Sequence, residues 1–292
     1  MSRFKRISTL LPFIHIGPLE IPTFGLFMIF AFAVSYFALA GDLKRRQINI
    51  DPYNVVLYVA IAGILGAKLW HVFDTPDDRL TGQILSHPRE MLSWFRSGFA
   101  WFGGFVAGIG MLLFLAHRNK INLLRMLDIA SPAAAIGYAV GRIGCLVSGD
   151  GDYGKPTNWS WPWGMAFPHG QVPTTQTCPQ AVDAAHPSGW PANCNVYPTP
   201  IYEFLAGVVI FWYIWRRGRS GNALPPGLLT GEFLLLSGAE RFLVEFIRIN
   251  PRVIFGMSNA QFTALLSMIA GAVLMVWASR GSAKTAVVAE QT

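Results

Sequence analysis

The sequence has few charged residues for its length. Asp, Glu, Lys and Arg make up 13% of its 292 residues, whereas hydrophobic residues make up 52%. A soluble domain rarely carries so little charge, so the composition argues against one. The sequence also has no basic and aromatic patch of a nucleic-acid module, and we expect no nucleic-acid partner. Its net charge of +7 instead favours contact with anionic phospholipid.

Long apolar runs make up much of the chain. A bilayer core of roughly 30 Å needs about 20 helical residues, and seven stretches meet that length. Basic residues follow the first, third, fifth and seventh stretches, which places those loops in the cytoplasm. The sequence therefore predicts an all-α integral membrane protein with about seven transmembrane helices, its N-terminus outside and its C-terminus inside. The predicted spans are 21–40, 54–73, 92–116, 127–147, 200–215, 227–249 and 259–278.

These spans divide the chain into five segments. Transmembrane helices 1–4 (residues 21–147) and 5–7 (residues 200–280) flank an irregular extracytoplasmic cap loop, residues 148–199. Residues 1–20 lack the continuous apolar core and the cleavage site of a signal peptide, so we interpret them as a retained amphipathic arm on the membrane. Residues 281–292 are predicted to be a disordered tail. No internal repeat or pair of broken helices is visible, which argues against a transporter.

Only three cysteines are present, and Cys178 and Cys194 both lie in the cap. Disulfides persist outside the cytoplasm, and closing a loop of about 15 residues contributes roughly 3 kcal/mol in the chain-entropy model. We therefore predict a bridge between them. Zinc is the weaker alternative, because no second cysteine or histidine pair has a suitable spacing. Four aromatic residues of the cap suit either the membrane interface or a small core of the cap itself: Trp159, Trp161, Trp163 and Phe167.

Several basic residues lie within the predicted spans or at their edges. A deeply placed one costs roughly 2.5 to 3.5 kcal/mol to insert, and by default it marks a functional site. These residues are Lys68, Arg96, Arg142, Arg241 and Arg248.

Arg142 lies near the middle of the fourth predicted span. Tyr138 and Cys145 share its helix face, which carries no acid within one turn. Its partner is therefore elsewhere in the chain: Asp150 or Glu203 if the role is structural, and a phosphate if it is functional. A neighbouring small face, which would let another helix approach closely, consists of Gly137, Gly141 and Gly144.

Arg241 shares a helix face with Glu245 and Arg248 in the run GAERFLVEFIR. One interpretation is a structural ion pair between Arg241 and Glu245. The other is that Arg142 and Arg241 converge on one phospholipid head group, because a guanidinium offers bidentate donors and stays charged in a poorly solvated site. Such an arrangement would stabilise the charge that develops on a leaving phosphate.

Two further segments contain candidate residues. Lys68 and His71 lie near the outer end of the second span in LGAKLWHVFD, and Tyr202 and Glu203 lie just inside the fifth span in YPTPIYEF. His71 is either hydrogen-bonded to a neighbouring helix or has a catalytic or ligand role. Glu203 is either part of the site or a response to the helix dipole.

The run GRIGCLVSGDGDYG resembles the signature of the prolipoprotein diacylglyceryl transferase family. GAERFLVEFIR resembles the second arginine segment of that family, and YPTPIYE resembles its tyrosine and glutamate segment. GAKLWHVF and FAWFGGFVAG resemble its second-span and glycine-rich third-span segments. The order of the segments and the predicted topology also fit, so the resemblance covers nearly all of the chain except the cap.

This resemblance implies transfer of a diacylglyceryl group from phosphatidylglycerol to the lipobox cysteine thiol of a preprolipoprotein, forming a thioether and releasing glycerol phosphate. It implies a multi-pass protein of the bacterial inner membrane, and we expect a monomer without cofactor or metal. Arg142 and Arg241 would hold the lipid phosphate, with Glu245 orienting Arg241. The implied substrate-binding residues are Asp150 or Asp152 as the signature acid, with Gly141, Gly144, Gly154, Ser148, Lys68, Tyr202 and Glu203.

The chain departs from the family where polar residues are replaced. Phe102 stands where the family commonly has a histidine, and His71 is a candidate to replace that base, because a thiol with a pKa of about 8.5 needs only modest help to ionise. We interpret Cys145 as a small buried residue that fills space. Two alternatives stay open: a paralogue with the same donor and a different acceptor, and a non-catalytic anionic-lipid binding protein or transporter. The other replaced positions are Phe24, Cys145, Ser148 and Ser237.

Overall fold

The computed structural model describes residues 11–17, 19–74 and 100–290. This part of the chain contains seven long helices and three two-stranded antiparallel sheets, with a short α-helix at Thr174–Thr177 and 3-10 helices at Cys178–Gln180 and Gly218–Ala223. The helices are α1 Thr23–Arg45, α2 Pro52–Asp74, α3 Trp101–Arg118, α4 Leu123–Ser148, α5 Thr199–Arg217, α6 Leu228–Val244 and α7 Asn259–Glu290. The strands are β1 Phe13–Ile16, β2 Leu19–Pro22, β3 Pro156–Thr157, β4 Asn195–Val196, β5 Arg252–Ile254 and β6 Met257–Ser258.

The helices confirm the prediction of a helical membrane protein. Of the described helices, five are long and apolar enough to cross a bilayer: Thr23–Arg45, Pro52–His71, Trp101–Arg118, Leu123–Ser148 and Asn259–Arg280. The prediction of about seven spans therefore exceeds this number by two, α5 and α6. The α6 helix has only 17 residues, and both helices contain ionisable side chains: Glu203, Arg216 and Arg217 in α5, and Glu232, Glu240 and Arg241 in α6.

Some predicted boundaries fall outside the described residues. Residues 1–10 of the predicted arm do so, and β1 and β2 form a hairpin in the part that is described. Residues 75–99, which contain the start of the predicted third span, also lie outside, and α3 begins at Trp101.

Two other boundaries are corrected. The sixth helix was predicted to reach residue 249, but α6 ends at Val244. The amides of Phe246, Ile247 and Arg248 bond to the carbonyls three residues back, and Pro251 has no N–H for the Ile247 carbonyl, which accepts a hydrogen bond from the Lys155 amide of the cap. Residues 281–290 were predicted to be disordered, but α7 continues to Glu290. The alanine, lysine and glutamate residues of that segment favour helix propagation.

The chain divides into two compact units, one formed by Met1–Ala38 with Ser131–Thr292 and the other by Leu39–Ala130. Within the second unit, α2 and α3 approach each other at glycines: a Cβ atom placed on Gly66 would lie 2.5 Å from the Gly103 carbonyl oxygen. The close contact therefore requires glycine at this crossing.

Within the first unit, α4 packs against α1 along the predicted small face. An ideal Cβ atom on Gly137 would lie 2.4 Å from the Ser35 Oγ, and one on Gly144 would lie 2.9 Å from the Phe27 Cβ. The predicted close approach of a helix is thus confirmed at these two glycines. Gly141 differs, since a Cβ atom there would meet nothing within 4 Å.

The cap forms a small core of its own, held by the predicted disulfide between Cys178 and Cys194. Tyr153 and Phe167 stack in this core with their ring centroids 5.1 Å apart. Phe167 therefore belongs to the core of the cap, whereas the tryptophans at 159, 161 and 163 are exposed. The cap contacts the end of α6, where Gly154 forms a β-bridge with Arg248.

Candidate active site

Three arginines and three carboxylates meet in the first unit. Arg142 comes from α4, Glu203 from the first turns of α5, and Arg241 from the last turn of α6. Asp152 follows α4 in the cap, and the carboxylate of Glu245 lies beside Arg241, one helical turn further along the chain. The sixth member, Arg248, follows the end of α6. We call these six residues the charge cluster.

Arg142 contacts two carboxylates of the cluster with one nitrogen. Its Nη1 lies 2.5 Å from the Asp152 Oδ2 and 3.2 Å from the Glu203 Oε2. Its guanidinium also lies over the Tyr138 ring, 4.9 Å from the centroid, which is a cation–π contact. Of the two partners proposed from the sequence for a structural role, Glu203 contacts Arg142. Asp152 contacts it as well.

Arg241 binds the same glutamate from the other side. Its Nη1 lies 2.7 Å from the Glu203 Oε1, and its Nη2 lies 3.0 Å from the Glu245 Oε2. The ion pair predicted between Arg241 and Glu245 is therefore present. Because Arg142 and Arg241 share Glu203, which is fully buried, one carboxylate fixes the positions of both guanidiniums.

Arg248 is a member of the cluster to which the sequence analysis assigned no role in the site, although it noted its position at the edge of a span. Its Nη2 lies 2.5 Å from the Asp152 Oδ1, its Nη1 lies 3.4 Å from the Glu203 Oε1, and its Nε lies 3.6 Å from the Glu245 Oε2. It thus contacts all three carboxylates. The signal for it was its position on the same helix face as Arg241 and Glu245.

Glu245 has a further set of polar neighbours beyond the arginines. Its Oε1 accepts hydrogen bonds from the Asn250 Nδ2 at 2.6 Å and from the Ser258 Oγ at 2.7 Å. The Ser258 Oγ in turn accepts a hydrogen bond from the Gln261 amide at 3.1 Å. With one oxygen held this way, the other faces Arg241, which fixes that guanidinium.

The three arginines differ in exposure. The side chains of Arg142 and Arg241 are 19% and 26% exposed, whereas that of Arg248 is only 6% exposed. The two arginines that the sequence analysis paired are therefore those whose side chains remain partly accessible. Arg248 is buried and balances the negative charge of the carboxylates.

The two aspartates of the signature have different surroundings. Burial alone would raise the pKa of Asp152, but Arg248 and Arg142 outweigh burial and hold that pKa at about 2. Burial raises the pKa of Asp150, and the charge of Asp152 adds to that rise. Asp150 accepts a hydrogen bond from the Asp152 amide at 3.2 Å. Asp152 is therefore the aspartate that contacts the arginines.

One group of three described side chains has the geometry for a metal ion. The ligand atoms of Cys145, Asp150 and Asp152 lie within 4.8 Å of one another. Both oxygens of Asp152, however, already bind guanidiniums, one from Arg142 and one from Arg248. Its charge is thus neutralised within the protein, which weakens this group as a cation site.

The remaining predicted residues of the first unit have separate surroundings. The Tyr202 hydroxyl donates to the Trp163 carbonyl of the cap at 2.7 Å. The Ser148 hydroxyl is buried and donates to the Cys145 carbonyl at 3.3 Å. A Cβ atom on Gly154 would lie 2.5 Å from the Ile247 carbonyl oxygen, so glycine is needed where the cap meets α6.

Lys68 and His71 belong to α2 in the second unit. Lys68 is buried, with 1% of its surface exposed, and His71 is half-buried in the last turns of the helix.

Three residues of the first unit that the sequence analysis did not choose adjoin the cluster. Tyr138 contacts Arg142, Glu240 precedes Arg241, and the Thr199 hydroxyl donates to the Asp152 carbonyl.

Comparisons with known proteins agree on one family. The family model described as prolipoprotein diacylglyceryl transferase matches residues 12–277. Three similar proteins are each named phosphatidylglycerol--prolipoprotein diacylglyceryl transferase. The one from Leptospira interrogans is 33% identical over 251 residues, which cover 79% of this chain and 72% of the relative. Those from Cupriavidus metallidurans and Nitrosomonas europaea are each 32% identical, covering 94% and 93% of this chain and 95% and 90% of the relatives.

Proposed function

Because the chain belongs to the prolipoprotein diacylglyceryl transferase family, we propose that it transfers a diacylglyceryl group from phosphatidylglycerol to a lipobox cysteine. The acceptor thiol of a preprolipoprotein attacks the glyceryl carbon next to the phosphate. A carbon–sulfur bond forms, the carbon–oxygen bond breaks, and glycerol phosphate leaves. No nucleic acid or cofactor takes part, and the protein acts as a monomer in the bacterial inner membrane.

The observation that carries this proposal is the shared binding of Arg142 and Arg241 to Glu203. The contacts of 3.2 and 2.7 Å hold two partly exposed guanidiniums on either side of one buried carboxylate. Each guanidinium has five N–H donors, of which only some are engaged here. The free donors of the two arginines can therefore bind the oxygens of one phosphate with charge-assisted hydrogen bonds.

The other members of the cluster keep the two arginines in place. Glu245 orients Arg241, and Asp152 orients Arg142. Arg248 neutralises the carboxylates from the buried side, so Arg142 and Arg241 are available to an incoming anion. Such fixed donors stabilise the negative charge that develops on the leaving phosphate without reorganising during the reaction.

The wider site includes residues that the resemblance implies. The open space beside Gly141 leaves room next to Arg142 for part of the lipid. We assign Gly144 and Gly154 to the close packing that shapes the cleft, with Ser148 and Asp150 in its wall. Tyr202 lies at its outer rim.

The resemblance implies two further candidates, both in α2. Lys68 would add positive charge for the lipid, and His71 is a candidate proton acceptor for the acceptor thiol. Replacing His71 with Gln tests the latter, and transfer at the wild-type rate would remove His71 from the mechanism.

We also propose that α5 and α6 cross the membrane with the five more apolar helices, which gives seven spans. The N-terminus and the cap then lie outside and the C-terminus lies inside, as the distribution of basic residues predicts. In this arrangement the charge cluster opens toward the outer leaflet, where a secreted preprolipoprotein presents its lipobox cysteine.

Complementation tests the proposed transfer in cells. The protein is expressed in bacteria depleted of their own transferase, together with a lipobox reporter, and the reporter is analysed by mass spectrometry. We expect a diacylglyceryl mass increase with the wild type and at least a tenfold loss with Arg142→Lys, which keeps the charge but loses the planar fork. Arg217→Lys is the matched control, because Arg217 pairs with Glu232 away from the charge cluster. An unmodified reporter in cells that contain folded wild-type protein would overturn the proposal.

A further inference from the structure

An exposed aromatic turn projects from the cap. Trp159, Trp161 and Trp163 are 60%, 65% and 57% exposed, although their neighbour in sequence Phe167 is buried in the core of the cap. The turn is closed by hydrogen bonds from the amides of Trp163 and Gly164 to the Ser160 carbonyl, at 3.0 and 3.1 Å. It is therefore an ordered structure that holds three large rings away from the apolar interior. We call residues 159–163 the tryptophan turn.

The tryptophan turn is attached to the start of α5. The Tyr202 hydroxyl donates to the Trp163 carbonyl at 2.7 Å, and the two rings lie 6.3 Å apart. The Asn195 side chain donates to the Trp159 carbonyl at 2.9 Å. The turn is thus fixed at the height of the first turns of α5.

Below Tyr202, the same side of α5 is apolar and exposed. Leu205, Val209 and Trp212 follow at helical spacing and are 54%, 63% and 57% exposed. An apolar stripe of this kind faces lipid when the helix crosses a bilayer. The tryptophan turn therefore continues a lipid-facing surface at its outer end.

We propose that the tryptophan turn anchors the cap in the interfacial layer of the outer leaflet. Indole rings suit that layer because their apolar bodies are buried while their N–H groups bond to head groups and water. The anchor fixes the cap over the membrane beside α5, the helix that carries Glu203. This inference rests on the proposed span of α5.

Depth-resolved fluorescence quenching in phosphatidylglycerol vesicles tests the anchor. A fluorescent thiol probe is attached to Trp161→Cys, to Val209→Cys near the middle of α5 as a deep reference and to Val182→Cys as an aqueous reference. Val182 is exposed in the cap next to the polar Asp183 and His186 pair. Labelling is specific, because Cys145 is buried and the other two cysteines form a disulfide.

We expect a lipid nitroxide near the head group to quench the probe at position 161, and iodide in the buffer to quench it several-fold less than at position 182. Equal iodide quenching at 161 and 182, with deep quenching retained at 209, would overturn the anchor alone. Absence of lipid quenching at 209 would overturn the span of α5 and the anchor with it.

A second observation concerns a buried acid beside the charge cluster. The Glu240 Oε1 and the Tyr138 hydroxyl are both buried and make no hydrogen bond of normal geometry within the described part of the chain. Tyr138 lies under the Arg142 guanidinium, and Glu240 interacts with Arg241, Arg142, Glu203 and Tyr138. The Glu240 carboxylate and the Tyr138 hydroxyl thus interact with each other beside the two arginines, and no hydrogen bond of normal geometry from the described residues fixes this Glu240 oxygen.

The Glu240 Oε1 accepts no hydrogen bond of normal geometry within the described part of the chain, so it keeps a lone pair that can accept a proton. The position also lies next to the two arginines that hold the phosphate in the proposed function.

We propose that the Glu240 carboxylate accepts the proton of the acceptor thiol, an inference that rests on the proposed transferase activity. The S–H proton moves to the Glu240 carboxylate as the sulfur forms its bond to the glyceryl carbon. The electron pair of the broken carbon–oxygen bond goes to the phosphate oxygen between Arg142 and Arg241. The proton then leaves Glu240 for water, which restores the carboxylate.

Steady-state kinetics with a lipobox peptide and phosphatidylglycerol tests this role. Glu240→Gln should lower kcat about 100-fold, the lower range for loss of a general base, while phosphatidylglycerol binding stays within about twofold. Glu240→Asp should recover part of the activity. Glu232→Gln, the same change two turns earlier on α6, should keep kcat near the wild-type value.

The pH profile separates proton transfer from a structural role. The rise of kcat with pH that depends on Glu240 should disappear in Glu240→Gln, whereas a structural role predicts weaker lipid binding and an unchanged profile. Wild-type kcat in Glu240→Gln, or a loss of activity that follows only His71→Gln, would overturn the proposal. An inactive wild type would instead overturn the proposed function on which it rests.

Discussion

At the scale of single residues, Glu203 is the member on which the charge cluster depends most. It is fully buried and contacts all three arginines, at 3.2 Å for Arg142, 2.7 Å for Arg241 and 3.4 Å for Arg248. Breaking a buried ion pair by removing one partner leaves uncompensated charge, which is strongly destabilising. Glu203 therefore holds the site together before any lipid binds.

Glu203→Gln should destabilise the protein, because it removes the buried carboxylate that pairs with all three arginines and leaves them to share two carboxylates. We expect a loss of about 3 to 5 kcal/mol in the free energy of unfolding, measured by denaturant unfolding in mixed micelles. Glu232→Gln is the control and should cost less, because among the described residues Glu232 pairs with one arginine, Arg217, whose side chain is 44% exposed. Equal losses in the two variants would contradict the central role of Glu203.

Asp152 makes the stability of the fold depend on pH in the acidic range. Its pKa is lowered from the ordinary 3.8 to about 2 because Arg248 and Arg142 outweigh burial. The ionised form therefore stabilises the fold above a pH of about 4, and this contribution is lost as the pH falls through 2. The drop in thermal midpoint between pH 5 and pH 2 should be smaller in Asp152→Asn, and an unchanged drop would contradict these ion pairs.

At the scale of elements, the sequence predicts the helices better than their ends. Arg142, Arg241 and Glu245 were selected because hydrophobic runs and helical spacing are local signals, and the structure brings them together. Asp152 and Arg248 depend on how the cap meets the end of α6, where Gly154 pairs with Arg248. That contact joins residues 94 positions apart, so no local pattern could have chosen Asp152 over Asp150.

The cap should depend on its disulfide. Cys178 and Cys194 close a loop with a sequence separation of 16, which in the chain-entropy model contributes roughly 3 kcal/mol. Replacing both with serine should speed proteolysis within residues 148–199 while the helices stay protected. A reductant should reproduce this effect in the wild type and add nothing to the double variant. If the double variant resists proteolysis as well as the oxidised wild type does, the disulfide does not stabilise the cap.

At the scale of the whole molecule, the distribution of charge predicts its orientation in the membrane. The loop between α3 and α4 is flanked by Arg118, Lys120 and Arg125, whereas the cap is long and disulfide-bonded. The positive-inside rule and the disulfide therefore both favour the proposed orientation, with the cap outside.

Labelling of single cysteines tests that orientation. A membrane-impermeant thiol reagent should label Val182→Cys, in the cap, in cells whose outer membrane is permeable. Asn119→Cys, between α3 and α4, should react only after the inner membrane is opened. Both positions are exposed, so access alone should decide the result. The reverse pattern would contradict the proposed topology.

The most direct test of the account is transfer by the purified protein. The protein is reconstituted in phosphatidylglycerol vesicles and given a lipobox peptide, and the peptide mass is measured over time. The account predicts a diacylglyceryl adduct joined by a thioether at the lipobox cysteine, with glycerol phosphate released in equal amount, and little product from Arg142→Lys or Arg241→Lys. An unmodified peptide in the presence of wild-type protein that binds phosphatidylglycerol would contradict it.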